Sequence, residues 1–138
     1  MRGKTIDELE IRDHAEFAKT ISEADVYLYA GVTGDHNPAH INEEYAKSTF
    51  FKTRLAQGML PASFISAVIG TLLPGPGTVY LDQSLKFLAP LRIGDTITAR
   101  VEVLEIITEK NKVRLETICI NQDGVTVLKG EAVVSPPK

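Results

Sequence analysis

The segment between residues 59 and 73 constrains the fold of this 138-residue chain more than any other part of it. It reads MLPASFISAVIGTLL, and its apolar side chains would point in nearly every direction around a helix. Pro61 is compatible with the first turn of such a helix, because the N–H that proline lacks would have no partner there. The PGPG sequence that follows ends the helix. Since a helix that is apolar on all sides must be enclosed, the rest of the chain is expected to wrap around it.

Beyond this helix the apolar residues recur with the period of a strand. Four stretches alternate or are rich in β-branched residues, namely TVYLDQSLKFLAP, DTITARVEVLEII, KVRLETICIN and VTVLKGEAVVS. Turn-forming residues separate them, and the last turn, Asp123-Gly124, is typical of a short hairpin. With a first strand at residues 15–20, they predict an antiparallel sheet of about five strands, the last four forming a meander. A single α+β domain over residues 1–138, with this sheet wrapped around one central apolar helix, is a hot-dog fold.

Two shorter helices are predicted before the central one. Ser22 is a suitable N-cap, followed by acidic residues in the first turn, and Gly34 ends this helix. Asn42 can cap a second helix over residues 43–48.

The composition excludes several classes of function. The net charge of −3 and the lack of a basic run argue against a nucleic-acid partner. Cys119 is the only cysteine; it cannot form an internal disulfide, fits a reducing, cytoplasmic setting, and is expected to be buried. The N-terminus lacks the apolar region of a signal peptide, and residues 59–73 are fewer than the roughly 20 that a membrane span needs. Three scattered histidines offer no metal-ligand spacing, so neither a metal nor a cofactor is expected.

The sequence TGDHNPAH at residues 33–40 brings Asp35 and His40 within five residues of each other. One interpretation is an ordinary capped turn with a solvated histidine. The other is that the turn directs both side chains at one point. Downstream, Gly58 precedes the apolar helix, whose N-terminal N–H groups suit an oxygen that gains negative charge. A carboxylate, an imidazole and an N–H donor are the groups needed to add or remove water beside a carbonyl.

Asp35-x-Asn37-Pro38-x-His40, with YAGVT before it and YAKSTFFKTRLAQGML after it, closely resembles the hydratase 2 motif of MaoC-like dehydratases and R-specific enoyl-CoA hydratases. The likeness continues through LPGPGTVYLDQSLKFLAPLRIGDTITARVEVLEI and covers roughly residues 15–135. The resemblance implies a hot-dog homodimer with its active site near the subunit interface. It also implies reversible syn hydration of a trans-2-enoyl thioester, carried by CoA or acyl carrier protein, to the (R)-3-hydroxyacyl thioester.

The same resemblance implies roles for individual residues. Asp35 and His40 would hold the catalytic water, and the backbone N–H of Gly58 would bind the thioester oxygen. Asn37 would orient the turn or the catalytic pair. Ser66 matches a family serine near that pair, with Ser63 as the alternative and simple helix packing open for either.

Other positions are expected to have minor or different roles. Ile69 would lie near the acyl end of the pocket and favour short to medium chains. Gln57 stands where the family usually has histidine; we expect a small effect if the function belongs to the Gly58 N–H. His36 and His14 are expected on the surface.

Two rival functions remain open from sequence. Hot-dog folds also host acyl-thioester hydrolases, which would not need a carboxylate and an imidazole at this spacing. A non-catalytic acyl-CoA-binding module would be expected to lack the acid–base pair or to carry a DNA-binding domain, and this sequence shows neither feature.

Overall fold

The computed structural model describes the whole chain, Met1–Lys138, as one antiparallel sheet with four α-helices. In chain order the elements are β1 (His14–Thr20), α1 (Glu23–Thr33), α2 (Pro38–Ile41), α3 (Glu43–Lys47), α4 (Met59–Thr71), β2 (Val79–Gln83), β3 (Lys86–Phe87), β4 (Thr96–Ile107), β5 (Lys112–Ile120) and β6 (Thr126–Ser135). Short 3-10 turns lie at Ile6–Glu8 and Thr108–Lys110. The α+β hot-dog prediction is confirmed.

The sheet has six strands because the predicted second strand is divided. It bends between β2 and β3, and both pieces pair with β6. The strand order is β1-β4-β5-β6-β2, so β4, β5 and β6 form the predicted meander and β2 does not belong to it. The prediction of a four-strand meander is therefore wrong for β2. The cause is that β1 pairs with the edge of β4 from Thr20↔Thr96 to His14↔Glu102, which leaves β6 as the free edge for β2.

The central helix α4 packs against the inner face of the sheet. Alternate residues of β4 and β5 are buried there, as the period of two predicts, and β6 follows the same pattern except that Val127 and Leu128 are both buried. The residues that α4 buries are Leu60, Pro61, Phe64, Ile65, Val68 and Ile69. Its other side, with Ser63, Ser66, Ala67 and Gly70, is exposed. Within a single chain, α4 is therefore covered on one side only, whereas its sequence predicts enclosure on all sides.

The first helices follow their predicted caps. The Ser22 hydroxyl accepts from the backbone N–H of Asp25 at 3.1 Å, and Gly34 ends α1 with a φ of 80°, the left-handed region that favours glycine. Asn42 caps α3, which ends at Lys47 rather than at residue 48. The helix α2 was not predicted, because four residues are too few to show a helical period. None of the helices has the length and apolar character needed to cross a membrane.

Candidate active site

The turn between α1 and α2 positions the predicted carboxylate and imidazole. Asp35 Oδ1 accepts from the backbone N–H of Asn37 at 3.3 Å, and Asn37 Oδ1 accepts from that of Ala39 at 3.0 Å. Pro38 then begins α2, which carries His40. The segment is therefore a capped turn, as the first interpretation held. It also brings Asp35 Oδ2 to 3.9 Å from His40 Nε2, as the second interpretation required.

A backbone carbonyl fixes the orientation of the His40 ring. His40 Nδ1 lies 2.7 Å from the carbonyl oxygen of Leu55. A carbonyl oxygen can only accept, so Nδ1 carries the hydrogen and donates it. Nε2 is left to face Asp35, with a lone pair when the ring is neutral. The His40 side chain is 14% exposed and that of Asp35 is 44% exposed, so the pair lies at the border between protein and solvent.

The gap between the two side chains has the size of a bridging water. At 3.9 Å the oxygen and nitrogen are too far apart for a direct hydrogen bond. If a water oxygen lay at a normal distance of about 2.8 Å from both atoms, the angle Oδ2–water–Nε2 would be about 90°. The arrangement can therefore hold one water with one acceptor on each side.

The same imidazole lines a largely apolar cavity that Gly58 also lines. The cavity has a volume of about 270 Å³, and its lining is His40, Leu55, Ala56, Gly58, Pro61, Phe87, Ala89, Pro90, Leu91 and Val127. Gly58 is the N-cap of α4, and its backbone N–H donates to no acceptor within the chain. The positive end of the α4 dipole and a free donor thus meet the imidazole in one apolar space. We call this space the His40 cavity.

An ion-paired arginine holds the segment that orients His40. The Arg54 guanidinium donates to Glu23 at 2.6 Å and to the Tyr27 hydroxyl at 2.7 Å, both on α1. The Arg54 backbone N–H donates to Glu43 at 3.2 Å. The hydrogen bond between Arg54 and Glu23 raises the pKa of the guanidinium and lowers the pKa of the carboxyl, so both stay charged. These contacts fix the residue next to Leu55, whose carbonyl sets the His40 ring.

Of the predicted site residues, only His40 and Gly58 line the His40 cavity; those outside its lining are Asp35, Asn37, Ser63, Ser66 and Ile69. Ser66 lines a second cavity of about 410 Å³, with Met59, Ala62, Ser63, Tyr80, Gln83 and Leu85. The Ser63 hydroxyl donates to the carbonyl of Met59 at 3.2 Å, which is helix back-bonding. Ile69 is 2% exposed, belongs to the core, and lines neither cavity.

Gln57, at the position where the family usually has histidine, points into the protein interior. Its side chain is 1% exposed, and Nε2 donates to the carbonyl of Val26 in α1 at 3.1 Å. Oε1 is buried without a hydrogen-bond partner. The Gln57 side chain therefore lies outside the His40 cavity, although the neighbouring Gly58 lines it.

Sequence reasoning missed two participants in this geometry, Leu55 and Phe87. Leu55 contributes a backbone carbonyl, which has no residue-type signature. Phe87 reaches the cavity because of the bend between β2 and β3, and no local pattern in the sequence indicates that bend.

Comparison with known proteins gives consistent matches over most of the chain. A family model described as "MaoC like domain" matches residues 9–123. An (R)-specific enoyl-CoA hydratase of Rhodospirillum rubrum is 58% identical over 123 residues, 89% of this chain and 85% of that protein. A 3-hydroxybutyryl-CoA dehydratase of Methylorubrum extorquens is 48% identical over 138 residues, 100% of this chain and 87% of that protein. The solved structure of unliganded R-hydratase PhaJ1 from Pseudomonas aeruginosa superposes with a TM-score of 0.94 at 45% identity, covering 99% of this chain and 88% of that one.

Proposed function

Because this chain belongs to the MaoC-like domain family, we propose that it interconverts trans-2-enoyl-CoA and (R)-3-hydroxyacyl-CoA, with Asp35 and His40 acting on the water. The activity is that of a hydro-lyase. The observation that carries the assignment of residues is the 3.9 Å gap between Asp35 Oδ2 and a His40 ring whose other nitrogen is committed to Leu55.

The hydration step follows from these positions. A water between the two side chains gives a proton to the pair, and its oxygen bonds to C3 of the enoyl group as the C2–C3 double bond breaks. The electron pair moves toward the thioester oxygen, which accepts from the Gly58 N–H. The pair then returns a proton to C2, so the elements of one water are added and nothing else is consumed. Because the hydroxyl group and the proton reach the same face of the double bond, the addition is syn. Dehydration is the same path in reverse.

The largest electrostatic contribution is assigned to Gly58. Negative charge on the thioester oxygen grows in the transition state, and one donor aimed at such an oxygen typically contributes about 3 kcal/mol. The apolar lining of the His40 cavity strengthens this hydrogen bond, because little water competes with it. The imidazole supplies acid–base catalysis, typically worth a factor of about 10² to 10⁴.

A direct assay separates this function from its rivals. Crotonyl-CoA is incubated with the protein, loss of the conjugated double bond and release of free thiol are followed together, and the product is resolved on a chiral phase. The expected result is loss of the double bond without free thiol and an (R)-3-hydroxybutyryl product. Thiol release would identify a thioesterase, the absence of any turnover a binding module, and an (S) product would contradict the assigned geometry.

We also propose a homodimer located in the cytoplasm. The exposed side of α4, which includes Ser66, Ala67 and Gly70, and the edge strand β2 are surfaces that a second copy would cover. The single buried thiol, Cys119, fits a reducing compartment. Light scattering at micromolar concentration should give twice the mass of one chain, and the mass of a single chain would contradict the dimer.

Short to medium acyl chains carried by CoA are the proposed substrates. Ile69 is buried in the core and lines neither cavity of the single chain, and its place near the acyl end of the pocket is a further part of this proposal. A branched side chain at that end would shorten the space for the acyl tail. Turnover of enoyl-CoA substrates of increasing length should fall beyond medium chains, and an equal preference for long chains would contradict the proposal.

A further inference from the structure

The backbone of Gly58 does not itself require glycine. Its φ of −60° and ψ of −32° lie in the right-handed helical region that every residue adopts. A Cβ at this position, however, would lie 3.2 Å from Cδ1 and 3.3 Å from Cε1 of Phe87. Carbon atoms in ordinary contact are about 3.5–4.0 Å apart. A side chain on Gly58 would therefore require the Phe87 ring to shift by a few tenths of an ångström.

The backbone at Phe87 is held at a defined place on the sheet. Phe87 pairs with Leu128 in the β3–β6 ladder. Just before β3, the backbone N–H of Ser84 donates to the Glu131 carbonyl at 2.9 Å, and the Glu131 N–H donates to the Ser84 hydroxyl at 3.0 Å. The chain crosses Gly130 so closely that a Cβ there would lie 1.8 Å from the Ser84 carbonyl oxygen. The β3 backbone cannot move toward or away from α4 without breaking these contacts.

The Phe87 ring is 56% exposed and also lines the His40 cavity. Its ring lies beside Gly58, whose N–H donates to no acceptor within the chain and is the proposed partner of the thioester oxygen. A phenylalanine of this exposure contributes little to the core, and its position beside a backbone donor calls for another explanation.

We propose that Phe87 is a positioning residue for the oxyanion site, a role that rests on the proposed function. The ring forms one wall of the space in which the thioester oxygen reaches the Gly58 N–H, and it closes that side to water when substrate is bound. Exclusion of water strengthens the hydrogen bond to the developing charge. Because the β3 backbone is held on the sheet and Gly58 lacks a Cβ, the Phe87 ring and the Gly58 backbone together set the width of this space.

A double-mutant cycle with kinetics on crotonyl-CoA tests the proposal. Phe87→Val removes both ring atoms that approach Gly58 and keeps a residue that favours strands. Phe87→Leu keeps a branched apolar side chain of intermediate size. The matched control is Phe50→Ala, because Phe50 is 89% exposed and lines neither cavity. Melting temperatures are measured for every variant.

Phe87→Val should lower kcat about tenfold or more with a smaller change in KM, because the affected hydrogen bond strengthens in the transition state. Phe87→Leu should restore most of the loss, and Phe50→Ala should match the unmodified enzyme. Gly58→Ala should lose kcat in the Phe87 background and regain part of it when combined with Phe87→Val. Full kcat in Phe87→Val, or an equal Gly58→Ala loss in both backgrounds, would overturn the proposal. Hydration activity in the unmodified protein would still support the proposed function in that case.

Discussion

Replacing His40 by glutamine tests the orientation of the imidazole most informatively. The change removes a ring whose Nδ1 donates to the Leu55 carbonyl at 2.7 Å and whose Nε2 faces Asp35 at 3.9 Å. The first contact is an ordinary hydrogen bond of a side chain that is 14% exposed, so its loss should lower the free energy of unfolding by about 1 kcal/mol. The Nε2 atom facing Asp35 is assigned the acid–base step, so loss of this atom should lower kcat by a factor on the order of 10² or more.

The two effects are measured separately. Initial rates on crotonyl-CoA over a range of concentrations give kcat and KM, and urea unfolding gives the stability. KM should change much less than kcat, because the lost interaction acts mainly in the transition state. The chain offers matched controls in His36→Gln and His14→Gln, since both residues are exposed and neither lines the His40 cavity. A His40→Gln enzyme that keeps more than about a tenth of its kcat, or a control that loses as much, would refute this reasoning.

Three further outcomes follow from the structure. Gly130→Ala should lower the free energy of unfolding by about 3 kcal/mol in urea titrations, because its Cβ would lie 1.8 Å from the Ser84 carbonyl oxygen; an unchanged midpoint would contradict that contact. Burial raises the pKa of Cys119 from 9.0 to about 12, so its contribution to stability is complete below pH 9 and is lost as the pH rises toward 12. Cys119→Ala should therefore show a shallower loss of stability between pH 9 and 11, and an identical slope would count against it. Gln57→His should change kcat less than about tenfold, because the side chain is 1% exposed and does not line the cavity; a gain of about a hundredfold would give the imidazole a chemical role.

Local patterns allowed most of the fold to be predicted. The caps of α1, the position of α4 and the strand periods depend on residues close together in sequence, and each of them was confirmed. The division of β2 from β3 depends on Gly130, which lies more than forty residues downstream of the bend. The placement of β2 beside β6 depends on β1, which pairs with β4 at the opposite edge of the three-strand meander. Sequence periodicity carries neither of these long-range contacts.

The candidate site shows the same division. The spacing of Asp35 and His40 left open whether the turn directs them at one point, and the family resemblance favoured that interpretation; the structure places their facing atoms 3.9 Å apart. The Leu55 carbonyl that orients the ring could not be predicted, because any residue has such a carbonyl. Ser66 lines a different cavity in the single chain, so its assigned role depends on a bound substrate or a second copy and stays a prediction.

The kcat of Asp35→Asn on crotonyl-CoA tests the central claim most directly. Asparagine keeps the shape of the side chain and removes the charge that would hold the water opposite His40 Nε2. Since a carboxylate acting on that water contributes mainly to the transition state, kcat should fall by a factor on the order of 10² or more while KM changes much less. An Asp35→Asn enzyme that retains most of its kcat would contradict the account.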